Sequence, residues 1–314
     1  MKKRIVIALG GNAIQNKGEK GTFEEQLANV TKTMIDLVPL ILNKNYQVII
    51  THGNGPQVGT IMNQMAKAVD IAPAMPMHMC GAMSQGQIGY LIQQSLLNLL
   101  EKKSVKKSIV TLVTQVVVDK KSPDFKNPTK PVGPYYIESE AKRIMKETGF
   151  TFKEDSGRGW RRVVPSPQPL KIVEIDAIED LVQKGMVVIT SGGGGIPVIE
   201  KNQQMSGVDA VIDKDRAAAL LGDLLHADIL IILTAVKKVC LNYGRPDMVS
   251  LDKINLKEAE KYLKEGHFAE GSMKPKIEAV ISFIRNNRKR TAIITHAHTL
   301  KNALAGKDGT IINY

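Results

Sequence analysis

The sequence predicts an α/β fold: a mainly parallel central sheet with helices on both of its faces and a protruding subdomain inserted within it. Three observations carry that prediction. Short β-branched segments alternate with amphipathic ones along most of the 314 residues, the rhythm of strand, helix and parallel strand. Glycine turns follow three of the strands. A single stretch rich in lysine and proline, at about residues 119–169, interrupts the rhythm.

Residues 4–9 read as the first strand. Thr22 and Glu25 form a capping-box pair that opens a helix whose apolar positions Leu27, Val30, Met34, Leu37 and Ile41 keep helical spacing. Residues 47–51 read as a second strand, 58–69 and 87–103 as helices, and 108–118 as one long β-branched strand. In the interruption, Lys120, Lys121, Lys126 and Lys130 alternate with Pro123, Pro128, Pro131 and Pro134, so regular core structure is not expected beyond a short helix near 137–147. Long insertions in compact domains are commonly functional, and this one reads as a lid-like subdomain, with a plain surface loop as the alternative. Strands then follow at 186–191, 229–234, 291–295 and 310–312, and helices at 213–225, 256–265 and 274–287. With no internal repeat and no linker, one domain over residues 1–314 is expected.

The 43 Lys and Arg residues against 31 Asp and Glu give a formal net charge of +12, which raises the question of nucleic acid. The 4% aromatic content leaves few platforms for base stacking, and the basic residues are spread along the chain, so nucleic acid is not expected as a partner. A basic enzyme that attracts small polyanions such as nucleotides accounts for the same charge. Cys80 and Cys240 have no metal-ligand spacing, which fits a reducing compartment and predicts no zinc site. The first apolar run, residues 5–9, is too short for a signal peptide, and no run approaches the ~20 residues of a spanning helix. The expectation is therefore cytoplasmic, without membrane association.

Parallel sheets bind ligands outside the carboxyl ends of their strands, and the glycines fall at that edge. Gly10-Gly11-Asn12 follows the first strand, Gly53-Asn54-Gly55 the second, and Gly192 to Gly195 the strand ending near Ser191. One such turn is weak evidence, but several converging on one edge form a nest for phosphate oxygens. No Gly-x-x-x-x-Gly-Lys-Ser/Thr occurs, and Gly10-Gly11 lacks the spacing of a dinucleotide fingerprint. Phosphoryl transfer also needs fixed cations. Lys214, between Asp213 and Asp215 at a helix start, reads two ways: a cation steadied by its neighbours, or a helix whose acids favour the positive end of its dipole. Lys276, after the Gly271 turn, reads by itself first as a solvated lysine. Lys130 is equally open. His296 and His298 lack a third ligand and read as structural, and His52 as a loop hydrogen-bonder or strand cap.

Read as whole strings, these segments resemble the carbamate kinases of the amino-acid kinase family over nearly the full chain. The strings are Ala8-Leu9-Gly10-Gly11-Asn12-Ala13, His52 to Gly59, Cys80 to Gly86, Arg158 to Pro167 and Gly207 to Asp215. The resemblance implies a three-layer αβα sandwich, a homodimer, and reversible transfer between ATP and carbamate giving ADP and carbamoyl phosphate, with Mg2+ carried by the nucleotide. It implies ATP synthesis from carbamoyl phosphate during arginine breakdown. By the same resemblance Lys130, Lys214 and Lys276 surround the transferred phosphoryl group and Asp215 organises the lysines. Gly10, Gly11, Asn12, Gly53, Asn54 and Gly55 hold phosphate and carbamate oxygens. Asp213, Thr234, Ala235, Val236, Tyr243 and Met273, with Lys276, lie around the nucleotide. Lys237 and Lys274 depart from the family pattern, and neither is an expected catalytic position. Cys240, shortly before Tyr243, is expected to be a place where a bulky thiol adduct inhibits. The alternatives are a kinase for another carboxylate and a non-catalytic nucleotide or phosphate sensor.

Overall fold

In the computed structural model, which describes residues 2–16, 18–155, 157 and 159–314, the strand–helix rhythm builds an eight-stranded sheet. Arg158, quoted above, lies outside the described residues. From one edge the order is Lys253–Asn255, Thr310–Asn313, Thr291–Thr295, Ile229–Leu233, Lys3–Leu9, Tyr46–His52, Val187–Ile189 and Ile109–Thr111. The last six are mutually parallel, and Thr310–Asn313 joins antiparallel to Thr291–Thr295.

Alternation along the strands sends side chains to two separate cores. Ile5, Ile7 and Leu9 pack with Val30, Met34 and Leu37 of helix Phe23–Leu42 and with Ile88, Ile92 and Leu96 of helix Met77–Glu101. Val6 and Ala8 face the other way, onto helices Lys214–Leu224 and Met273–Arg285. Buried on both faces, the central strands read as continuous apolar runs, and the layers are helix, sheet, helix. Thr22 and Glu25 form the expected capping box.

Three expectations are corrected. Residues 108–118 are two strands: Ile109–Thr111 closes the large sheet, and Gln115–Val118 enters a second sheet of order Gln204–Gly207, Ile196–Lys201, Gln115–Val118, Pro169–Ile172. The break is fixed at Thr114, whose N–H donates to Gln85 Oε1 (2.8 Å) and whose carbonyl accepts from Gln85 Nε2 (3.0 Å). A side-chain amide thus takes the Thr114 N–H and shares its carbonyl with the Ile196 N–H (2.9 Å), where the second sheet begins. The interruption is also regular. Lys130–Tyr136, Trp160–Val164 and Phe152–Glu154 form an antiparallel sheet joined by helix Glu138–Thr148. Lys130–Tyr136 pairs on one side only, and an edge strand tolerates Pro131. Helix Met77–Glu101 begins ten residues before its predicted start. No helix among the described residues is long and apolar enough to cross a membrane.

Candidate active site

The crevice forms where the chain order reverses, between Lys3–Leu9 and Ile229–Leu233. A Cβ on Gly10 would stand 2.8 Å from the Leu233 carbonyl oxygen, so only glycine lets the first strand leave beside its neighbour. The next strand ends at His52, a buried residue whose Nδ1–H donates to the Gly53 carbonyl at 2.8 Å. Burial drives its pKa down to about 4, so the ring is neutral. A Cβ on Gly53 would meet Lys214 Cδ at 3.0 Å, and its absence opens the path of that lysine. Asn54 is held by the Ser84 hydroxyl, which donates to its Oδ1 (2.8 Å).

Five charged residues converge here from three separate stretches of chain. Asp213 caps helix Lys214–Leu224: its Oδ1 accepts from the Asp215 N–H at 2.9 Å, and its Oδ2 accepts from Lys130 Nζ at 2.9 Å, across from the protruding sheet. Asp215, 2% exposed, receives one lysine on each oxygen: Lys214 Nζ on Oδ1 at 2.5 Å and Lys276 Nζ on Oδ2 at 3.0 Å. Lys276 arrives from the first turn of Met273–Arg285. The two readings left open for Lys214 are thus both realised, with Asp213 capping the helix and Asp215 gripping the lysine.

Burial alone would raise the Asp213 pKa, but the charge and hydrogen bond of Lys130, then the charge of Lys214, bring it down to about 2. For Lys214, burial lowers the pKa, Asp215 opposes that, and the neighbouring Lys276 charge lowers it again. An incoming anion would relieve both unfavourable influences.

Two cavities, each about 400–500 Å³, open on this cluster. The first is lined by Gly53, Asn54, Gly55, Lys130, Asp213 and Asp215, and the second by Gly10, Asn12, Thr234 and Ala235. Gly11, Lys214 and Lys276 line both, so the two lysines stand in a shared wall. Val236, Tyr243 and Met273 line neither cavity. Tyr243 is 68% exposed and Met273 packs against the core. Cys240 lies on the hairpin of Val239–Leu241 and Val249–Leu251.

Other residues join the site without having been singled out for it. Arg161 lines the first cavity, donates to the Gly133 carbonyl at 3.2 Å and lies 5.0 Å from the Tyr135 ring centroid. Its signal was membership of the string ending at Pro167. Gly193 was visible in the four-glycine run. Lys32 and His296, in the second cavity, carried no local signal of a site: a helix lysine and a histidine read as structural. Among the described residues no group of three or more His, Cys, Asp or Glu could hold a metal ion. The only carboxylates lining the two cavities, Asp213 and Asp215, are both occupied by lysines.

The chain belongs to the amino acid kinase family, which it matches over residues 3–295, and it is a kinase. It is similar to carbamate kinases along its whole length. It is 54% identical to the carbamate kinase of Pyrococcus horikoshii over 99% of each chain, and 48% identical to that of Clostridium perfringens over 98% of this chain and 99% of that one. A solved carbamate kinase from Giardia lamblia, bound to AMP-PNP, superposes with a TM-score of 0.94 at 47% identity, covering 99% of this chain and 98% of the other.

Proposed function

We propose that this chain is a carbamate kinase, passing the γ-phosphoryl group of ATP to carbamate and, in reverse, from carbamoyl phosphate to ADP. The observation that carries this reading is the pair Lys214 and Lys276, fixed on one carboxylate and forming the wall common to two cavities. A transfer between two anionic ligands needs such a place, with one ligand on each side and cations where they meet. Full-length similarity to carbamate kinases supplies the acceptor.

Carbamate is already an anion, so one of its oxygens attacks the γ-phosphorus as the bond to the ADP oxygen breaks, and no proton changes place. No general base is required, in keeping with a neutral, buried His52 that is turned to the Gly53 carbonyl. The chain's work is to bring two anions together. At an effective dielectric near 20, one unit charge at about 4 Å contributes roughly 4 kcal/mol. Lys130, Lys214 and Lys276 therefore offset repulsion of the size that separates two phosphate-bearing ligands, and they act without reorganising because Asp213 and Asp215 already hold them. With Asp213 and Asp215 already held by lysines, magnesium would be carried by the nucleotide phosphates, where it would neutralise part of their charge.

A second copy of the chain is part of the proposal. Met79, Met83, Tyr90 and Leu97 are exposed along one face of helix Met77–Glu101, an apolar stripe suited to a homodimer. So is the direction that makes ATP, within arginine breakdown. The competing acceptor is an amino-acid carboxylate. Purified chain given ATP and magnesium should release ADP with carbamate and not with a panel of amino acids; turnover confined to an amino acid would replace this reading.

A further inference from the structure

The string His52 to Gly59 runs past its phosphate turn into helix Gln57–Lys67, and its last residue, in the wall of the first cavity, has been given no role so far. Gly59 lies where this helix meets the protruding sheet. A Cβ built on it would come within 3.2 Å of Gly133 Cα and 3.3 Å of Gly133 N, closer than most Cβ contacts, and against backbone that cannot swing aside. Gly133 belongs to strand Lys130–Tyr136, so helix and strand touch glycine to glycine. One residue earlier, buried Val132 fastens the same strand in a small apolar cluster with Met77 and Val164. Lys130, on the face that Val132 shares by strand alternation, reaches down to Asp213 at 2.9 Å.

We propose that Gly59 is a positioning residue: by leaving room for Gly133 it sets how deeply the protruding strand seats on helix Gln57–Lys67, and thereby brings Lys130 within reach of Asp213 and the transferred phosphoryl group. This rests on the carbamate kinase reading. Any side chain at Gly59 lifts the strand by a few tenths of an ångström or more, and reach lost at the strand is lost at the lysine. Helix propensity pulls the other way, because alanine favours a helix over glycine. If Gly59 were only a helix position with room to spare, alanine would be harmless or stabilising.

The test is ATP formation from ADP and carbamoyl phosphate by the full chain carrying Gly59→Ala or Gly59→Val, each made alone and on a Lys130→Ala background, with melting temperatures recorded. The expected result is a graded fall in kcat, about 10-fold for alanine and up to the 100- to 1000-fold of a lost preorganised group for valine. On the Lys130→Ala background the same changes should cost little further, since the group they displace is gone. Wild-type kcat in Gly59→Val, or equal losses on both backgrounds, would overturn the proposal. If Gly59→Val does not fold, Gly59→Ala decides: a lowered kcat at an unchanged or raised melting temperature supports the seat, and an unchanged kcat overturns it. Turnover by the wild-type chain tests the carbamate kinase reading separately, so failure of one is not mistaken for failure of the other.

Discussion

Replacing Asp215 with alanine removes the only hydrogen-bond acceptor that Lys214 and Lys276 share and leaves their two ammonium groups facing each other. The Asp215 side chain is 3% exposed and each lysine side chain 15%, so water compensates little. Breaking a buried ion pair by deleting one partner costs about 3–5 kcal/mol. At roughly 2 °C per kcal/mol for a chain of this size, the melting temperature should fall on the order of 6–10 °C. Turnover should fall by about 100-fold or more, because the cations survive but lose their fixed geometry. The diagnostic feature is the response to a polyanion: ADP supplies the missing negative charge and should raise the melting temperature of Asp215→Ala by more than it raises that of the wild type. Differential scanning fluorimetry with and without ADP, beside a luciferase assay of ATP formation, reads both quantities. A variant that melts and turns over like the wild type would refute the claim that Asp215 organises the lysines.

Further outcomes follow from the same geometry. Asp213, with its pKa depressed to about 2 from 3.8, contributes roughly 2 kcal/mol of stability that is complete above pH 4 and lost as the pH falls toward 2. Asp213→Asn should therefore be less stable than wild type at neutral pH in urea titrations, by a margin that shrinks through that window; a constant margin would point to another cause. His52 binds its proton less readily folded than unfolded, so acidification from pH 6.5 to 4 should cost the wild type roughly 3 kcal/mol through this residue. His52→Gln should show a shallower slope over that range, and an identical slope would place the titration elsewhere. At Cys240, a bulky maleimide should lower turnover and ADP should slow the labelling; labelling indifferent to ADP would remove this cysteine from the nucleotide's surroundings.

The layers of the fold were legible because strands and helices differ in pattern. Residues 5–9 are one short continuous apolar run, as in a strand buried on both faces, whereas Val30, Met34, Leu37 and Ile41 keep helical spacing and mark one buried face. The misreadings came where a distant contact decides. Nothing local marks the break at Thr114, since residues 108–118 are favourable for strand throughout and the break is imposed by Gln85. Pro131 looks like a breaker, yet it sits on an edge strand where the missing N–H is harmless. The glycine turns were readable as phosphate-facing because strand ends of a parallel sheet share an edge. The lysines were not, in themselves: Lys130 is remote in sequence from Asp213, and Lys276 alone looks like any solvated lysine. Only the resemblance to a family over nearly the full chain placed Lys130, Lys214 and Lys276 around one phosphoryl group. Gly59 closes one of those strings, but the string assigns it no role, because what meets it is Gly133 across the protruding sheet.

On the proposed function, the phosphoryl group passes between ADP and carbamoyl phosphate at the shared wall of Lys214 and Lys276. The direct measurement is ATP formation from those two substrates with magnesium, comparing the purified wild-type chain with Lys276→Ala under matched conditions. ATP is expected from the wild type and about 100- to 1000-fold less from the variant. A wild-type chain that makes no ATP, or a Lys276→Ala chain that makes it at the wild-type rate, would contradict that reading.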